Sequence, residues 1–345
     1  MSITMQKTLF DDPVRSAPSG NGDTREPYGR IDADPAIHAK LLGYCRLCAG
    51  EVWQDAERGH RVGVLDATNY EQVAKIVGDD RPSLLVNDPP YNVAVGNSNT
   101  PSLSKTGLSA YMIFSRKWMD NCVRVMAEKA HFYIWLGADV RDNFQPLPDF
   151  MIMMRDIPQL RPRNFITLRN QRGYGTQKNW MWVRQELLHY IHGDPDFTVQ
   201  YTDIPKILRG YYKNVNGKIT ENLERSKSGN IRPGNVWVDV QQVFYRMEEN
   251  VPGCYAQKPL KAIERILQSS SKPGECVLDC FSHSGTTLIA GERLGRRVVT
   301  FDIDPVFAEL TIRRLEHYRK TGKTGWQWHN PFPEMEEVYD AATSA

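Results

Sequence analysis

The chain has 345 residues, of which 41% are hydrophobic and 24% charged, and its formal net charge is +2. That length can bury one large core or a core with an inserted piece. No apolar run approaches the roughly 20 residues of a membrane span, and the first twenty residues lack the apolar stretch of a secretory signal, so a cytoplasmic globular protein with no membrane contact is expected. Six cysteines (Cys45, Cys48, Cys122, Cys254, Cys276 and Cys280) are too sparse for a disulfide framework. Cys45 and Cys48 form a C-x-x-C, but no second Cys or His pair follows at zinc-finger spacing. A half-buried helix pair is expected there and no metal site.

In chain order, residues 1–33 are rich in Ser, Gly, Asp and Pro without periodicity and read as a flexible arm. From Arg61 the pattern alternates: a strand over Val62 to Leu65, a helix over Tyr70 to Val77, a strand over Ser83 to Asn87. A helix with Phe114, Trp118, Cys122 and Val125 on one face leads into "HFYIWLG", an aromatic-rich strand from His131 to Leu136. "FMIMM" and "NFITLRN" read as further strands, ahead of "QELLHYIHG". Between Arg155 and Arg184 seven basic residues face one acid, a local net of +6, interleaved with Phe165, Tyr174, Trp180 and Trp182. Cations among aromatic rings suit a surface that meets phosphates and bases; a solvated face beside a core strand is the plainer alternative. Residues 194–234 are polar, rich in Gly and Asn, and interrupt the α/β rhythm as an inserted recognition segment would.

Two stretches carry chemistry. "LLVNDPPYN" runs from Leu84 to Asn92 and ends a buried strand in an acid, two prolines and a ring, which can continue neither strand nor helix. "ECVLDCFSHSGTTLIAGERLGRRVVTFDIDP" places a strand ending at Asp279, a loop of small residues, a helix ending near Gly295, and a second strand ending at Asp302. A small-residue loop before a helix lets a ligand approach the backbone, and an acid after the next strand suits ribose hydroxyls. The loop is neither G-x-G-x-x-G nor a Walker loop, which points away from dinucleotides and triphosphates to another nucleoside cofactor.

Taken together, these motifs resemble those of the DNA amino-methyltransferases that use S-adenosylmethionine, over about Arg61 to Lys320. "NDPPY", "DCFSHSGTT", "VLDATNY" and "QKPL" occur in the family's order. The family loop usually has Gly where this chain has His283, Pro where it has Cys280, and Glu where it has Asp302. The resemblance implies an α/β fold, a Rossmann-like class I methyltransferase sheet. It also implies circular permutation in the β-group order, with a small inserted target-recognition segment. The domain expected at 34–320 then has a catalytic half at about 61–193, the recognition segment at about 194–234, a cofactor half at about 235–320, and a tail at 321–345.

The same resemblance assigns catalysis to Asp88, Pro89, Pro90 and Tyr91, and cofactor binding to Asp66, Ala67, Lys258, Asp279, Phe281, Ser282, Ser284, Gly285, Thr286 and Asp302. DNA contact is expected from Arg163, Arg169, Arg172 and Lys178. The partners implied are double-stranded DNA and a second copy in a homodimer. An exocyclic amine is a poor nucleophile until acceptors draw its N–H groups, and the D-P-P-Y turn supplies a carboxylate, a rigidly held carbonyl and a stacking ring. Asp rather than Ser ahead of Pro-Pro-Tyr favours adenine N6 over cytosine N4. The alternatives are an RNA or protein-amide methyltransferase and a non-catalytic DNA-binding protein of the same fold. Cytosine C5 chemistry needs a Cys nucleophile, and no Pro-Cys pair occurs.

Overall fold

The computed structural model describes residues 31, 34–90, 107–137, 145–174, 180–206, 212–221 and 228–335. Apart from Ile31, the expected N-terminal arm lies outside the described residues, as do residues 336–345 of the expected C-terminal tail. The elements are α1 (Pro35–Leu42), β1 (Val52–Gln54), β2 (Arg61–Val64), α2 (Tyr70–Val77), β3 (Leu84–Asn87), α3 (Leu108–Val125), β4 (Ala130–Leu136) and α4 (Pro146–Met153). They continue with β5 (Leu160–Tyr174), β6 (Trp182–His192), β7 (Tyr212–Val215), β8 (Lys218–Glu221), β9 (Val236–Trp237), α5 (Leu260–Ser270), β10 (Cys276–Asp279), α6 (Thr286–Leu294), β11 (Arg297–Asp302) and α7 (Pro305–Thr321).

Nine strands form one sheet in the order β1-β2-β11-β10-β3-β4-β6-β5-β9. Neighbours from β2 through β4 pair in parallel, while β6 is antiparallel to both β4 and β5. The period of two along each strand divides the core into two layers. Leu85, Phe132, Ile134, Leu278 and Phe301 pack with α2, α3 and α4, whereas Leu84, Val86, Tyr133, Trp135 and Val277 pack with α5, α6 and α7. Because β3, β10 and their neighbours are covered on both faces, they read as continuous apolar runs. Three helices start on side-chain caps: Asp34 accepts from Ala36 and Ile37 at α1, Asn69 from Gln72 at α2 and Asp304 from Val306 at α7.

Two expectations fail. "FMIMM" is helical: it falls in α4 and the 3₁₀ turn after it, starts behind Pro146, and buries Pro146, Phe150 and Met154 at a spacing of four. A continuous apolar run fits either a buried strand or a buried helix, and proline at the first helical position decides here. Cys45 and Cys48 lie in turns beyond α1. That helix stops at Gly43, and Tyr44 and Cys45 donate their amides to Leu41 and Leu42, three residues back. All six cysteines are free thiols.

Within residues 194–234, β7 and β8 form a separate two-stranded hairpin around Asn216 and Gly217. Both turn residues have positive φ, 55° and 77°, the type I′ geometry that Asn-Gly favours. Among the described residues no helix is long and apolar enough to cross a membrane.

Candidate active site

Four parallel neighbours, β2, β11, β10 and β3, each end in or just before an aspartate: Asp66, Asp302, Asp279 and Asp88. In an open parallel sheet this edge, beyond the carboxyl ends of the strands, is where ligands bind. An open cleft of about 320 Å³ lies here, lined by Val86, Asp88, Trp135, Lys258, Ile263, Asp279, Phe281, Ser282, His283, Ser284, Thr286 and Thr287. Two motifs far apart in the chain thus share one wall. Their registry is direct, for Val277 and Leu278 on β10 pair with Leu84 and Leu85 on β3.

The turn after β3 is fixed from several sides. Buried Asn87 accepts the Cys280 amide on its Oδ1 at 2.9 Å, tying the start of the turn to the loop after β10. Asp88 Oδ2 accepts from Lys258 Nζ at 2.6 Å. The Pro90 carbonyl accepts from the Tyr111 hydroxyl on α3 at 2.8 Å. Burial raises the Tyr111 phenol above its ordinary pKa, so it stays a neutral donor.

The loop between β10 and α6 uses its amides on protein anchors. Phe281 donates to Asp279 Oδ1 at 3.0 Å, Ser282 to the Phe301 carbonyl at 2.9 Å, and His283 to Asp302 Oδ2 at 3.0 Å. Gly285 has φ 72°, and a Cβ there would stand 3.0 Å from the Thr311 backbone on α7, so the position needs glycine twice over. His283 also has positive φ, 43°. That conformation strains a residue with a Cβ and accounts for the Gly that the family resemblance leads one to expect there. Buried Arg314 on α7 stitches the loop from behind, donating to the Ser284 carbonyl at 2.7 Å, Thr286 Oγ1 at 3.1 Å, the Thr324 carbonyl at 2.7 Å and the Glu249 carbonyl at 3.0 Å.

Asp279 and Asp302 both hold their protons more tightly than an ordinary carboxyl. Burial pushes Asp279 up to about 7 against hydrogen bonds from Thr287 and the Phe281 amide, with the Asp88 charge adding to the rise. Burial, then the neighbouring Asp304 charge, pushes Asp302 up to about 7. Shifts of this kind gather where a site is built for a ligand.

Of the sequence-predicted residues, Asp88, Lys258, Asp279, Phe281, Ser282, Ser284 and Thr286 line the cleft together. Asp66, Ala67 and Asp302 lie beside it at the ends of β2 and β11, where Val64 pairs with Asp302 and the Ala67 carbonyl accepts from Asn121 at 2.9 Å. Gly285 sits behind the loop against α7. Pro89 is buried and Pro90 exposed at the turn, and Tyr91 lies outside the described residues.

The basic cluster does not act as one patch. Arg169 and Arg184 are register partners at the end of the β5–β6 ribbon nearest the cleft, since Leu136 at the end of β4 pairs with Glu186. Arg161 lies eight residues back along β5, about 25 Å at strand rise, opposite Ile191, which itself pairs with His131 near the start of β4. Arg163 falls at a bulge two residues beyond Arg161. Arg172 is in β5, and Lys178 lies outside the described residues.

Sequence reading missed Trp135, Val86, Ile263 and Thr287 as lining residues and noted His283 only as a departure from the family's Gly. Tyr133, Trp135 and Val86 share one face of the sheet. The period of two in "HFYIWLG" groups the two rings, but only the β3–β4 pairing brings Trp135 to the cleft that Asp88 lines. Arg314 carried no signal beyond a basic residue in an apolar helix.

Residues 83–313 match the sequence profile of the N6/N4 DNA methylases. The chain belongs to this family. Its members are S-adenosylmethionine-dependent DNA amino-methyltransferases. The N6/N4 methylase described here is 25% identical over 252 residues to the type II methyltransferase M.HpaI of Haemophilus parainfluenzae, covering 73% of this chain and 74% of that one. It is 26% identical to the DNA adenine methyltransferase YhdJ of Escherichia coli (strain K12), covering 68% and 77%. The cytosine-N4-specific PvuII DNA methyltransferase superposes with a TM-score of 0.52 at 12% identity, covering 78% of this N6/N4 methylase and 89% of that chain. This last likeness is one of fold.

The cleft of the N6/N4 methylase fits the family's cofactor. Buried Ser282 directs into the lining a side chain whose Oγ has no hydrogen-bond partner among the described residues. An orphaned buried hydroxyl is costly unless a ligand satisfies it. Small residues at Ser282, Ser284 and Gly285 leave room ahead of the α6 N-terminus, and acids stand at both flanking strand ends.

Proposed function

We propose that this N6/N4 methylase is a cytoplasmic enzyme that methylates the N6 amine of adenine in double-stranded DNA, with the target base flipped into the cleft. The observation that carries this reading is the Asp88-Pro89-Pro90 turn ending β3 on the wall that the β10–α6 loop also lines. Asp ahead of Pro-Pro favours adenine, and the adenine methyltransferase of E. coli is among the relatives it resembles.

Bound S-adenosylmethionine supplies an electrophilic methyl on a sulfonium, and on transfer the electron pair of the broken C–S bond stays on sulfur. Everything else falls to this chain. Asp88 and the Pro89 carbonyl accept the two N–H groups of the target amine and draw its lone pair out of the ring. Tyr111, by holding the Pro90 carbonyl, keeps the turn in place. Tyr91 stacks on the extruded base. The methylated nitrogen carries an extra proton, which Asp88 accepts. Ser282, Ser284, Gly285 and Thr286 receive the methionine end, Asp302 the ribose, and Asp66, Ala67, Asp279 and Phe281 the remaining surface of the cofactor. The catalytic strand precedes the cofactor strand in the chain yet neighbours it in the sheet, which supports a circularly permuted order. Ile113 on α3 and Met151 and Ile152 on α4 are exposed, and apolar surface of that kind supports a homodimer. Transfer of a labelled methyl group to duplex DNA tests the reading, and failure on every duplex would overturn it.

Asp302 makes cofactor affinity depend on pH. A carboxylate has about four acceptor sites, so Asp302 can accept ribose hydroxyls beyond the His283 and Asp304 amides it already holds. Accepting them requires the ionised form. With its folded value near 7, above the ordinary 3.8, the acid takes up a proton in the folded state as pH falls from about 7 toward 4 while the unfolded chain does not. Stability of the ligand-free protein therefore rises over that window and cofactor affinity falls. Calorimetry is expected to find binding about tenfold weaker at pH 6 than at pH 8, with the dependence reduced in Asp302→Asn. Equal affinity at the two pH values would remove Asp302 from the ribose site.

DNA contact is assigned to Arg169 and Arg172 in β5, with Lys178 retained as a further contact on sequence grounds, and the segment 194–234 is the candidate for sequence recognition. Arg163 is left with a lesser share because it lies back along β5 from Arg169. Charge reversal at Arg169 and Arg172 together is expected to weaken binding to all sequences about equally and to lower the slope of log affinity against log salt by about 2. An unchanged slope would move the contact surface elsewhere.

A further inference from the structure

Lys258 was expected on sequence grounds to touch the cofactor, but its ammonium lies on Asp88. Nζ stands 2.6 Å from Asp88 Oδ2, and the Lys258 side chain is only 8% exposed. On the other side Nζ lies 5.4 Å from the centre of the fully buried Trp135 ring, the face of an aromatic that attracts a cation.

The backbone leading to Lys258 is fixed. Gln257 is clamped by donating to the Glu249 carbonyl at 2.7 Å and accepting the Val251 amide at 3.0 Å. Ala256 has a positive φ of 58°, a strained conformation for a residue with a Cβ, and its carbonyl lies 3.5 Å from Nζ. Just after Lys258, Glu249 accepts the Leu260 amide at 2.7 Å and anchors the start of α5. The segment is held as catalytic supports are held, by contacts that leave one geometry.

We propose that Lys258 is a positioning residue for the methyl-transfer step, whose ammonium, backed by the Trp135 ring, holds the Asp88 carboxylate aimed at the target amine. This rests on the reading of Asp88 as the acceptor of that amine. Asp88 faces Lys258 from the segment ahead of α5, Asp279 from β10, Tyr111 from α3 and His283 from the cofactor loop. Among the described lining residues Lys258 is the only Lys or Arg. Removing the ammonium takes away the charge-assisted hydrogen bond that fixes Oδ2, and with it the direction in which the carboxylate presents its acceptors.

The test is single-turnover methylation of duplex DNA at saturating S-adenosylmethionine for the wild type, Lys258→Met and Lys258→Arg, with cofactor affinity and the urea midpoint measured on each. Lys258→Met is expected to slow transfer about a hundredfold and to leave cofactor affinity within about threefold. Lys258→Arg, which keeps the charge, should restore most of the rate. A Lys258→Met whose slowed transfer comes with a lowered urea midpoint and weakened cofactor affinity would reduce Lys258 to a structural role. A normal rate at saturating cofactor with weakened affinity would return it to the cofactor site. If Lys258→Met does not fold, Lys258→Arg decides alone, since about a hundredfold loss of rate in that variant contradicts the proposal. Wild-type turnover in Asp88→Asn would instead refute the reading of Asp88, a result independent of either lysine variant.

Discussion

Asp88→Ala is expected to slow methyl transfer by about a hundredfold or more, a loss of roughly 3 kcal/mol of transition-state stabilisation. On the proposed reading the carboxylate acts on the target amine, whose nitrogen gains positive charge as the methyl arrives, so that its attraction grows along that path. Cofactor affinity should change little, because the cofactor loop is anchored through Asn87, Asp279, Asp302 and Arg314 and not through Asp88. Loss of Asp88 leaves Lys258 without its carboxylate, so part of the effect is an uncompensated charge in the cleft. Rapid-quench kinetics with cofactor titration separates the two quantities. Near-normal transfer in the variant would place the acceptor elsewhere.

Arg314→Met is expected to cost about 3 kcal/mol of folding stability, and to weaken cofactor binding as well. The side chain is fully buried and donates to three main-chain carbonyls and a hydroxyl drawn from the cofactor loop, the Glu249 segment and the turn after α7. Each buried carbonyl left without a donor costs about 1–3 kcal/mol. Part of that is offset because a buried cation is no longer desolvated; burial already pulls the Arg314 guanidinium down to about 10. Urea unfolding measures the loss. A midpoint equal to wild type would mean that the loop is held by its own turn and not from behind.

Much of the cleft was legible because its chemistry is local in sequence. "NDPPY" and "DCFSHSGTT" each end a short apolar strand, and the strands after Leu84 and Cys276 form where their patterns place them. Tyr70 to Val77 is helical at both expected ends, capped by Asn69. What escaped depends on pairing between distant segments. Trp135 reaches the site only because β4 lies beside β3, and Lys258 meets Asp88 across a sequence separation of 170 residues. Arg314 acts through carbonyls, which leave no mark in side-chain sequence. The basic run from Arg155 to Arg184 looked like one patch because net charge ignores strand direction: β5 spreads its arginines along the ribbon, with Arg161 eight residues from Arg169. "FMIMM" failed for a different reason, since unbroken apolar residues carry no period.

The Asn216-Gly217 turn was readable and overlooked, being a strong hairpin signal between short alternating runs.

The central claim, transfer of a methyl group to adenine N6, is tested most directly by the product. The chain is incubated with isotopically labelled S-adenosylmethionine and mixed duplex DNA, the DNA is digested, and the nucleosides are separated by mass. Label confined to N6-methyldeoxyadenosine is the result expected from the Asp88 turn. Label in N4-methyldeoxycytidine would contradict it.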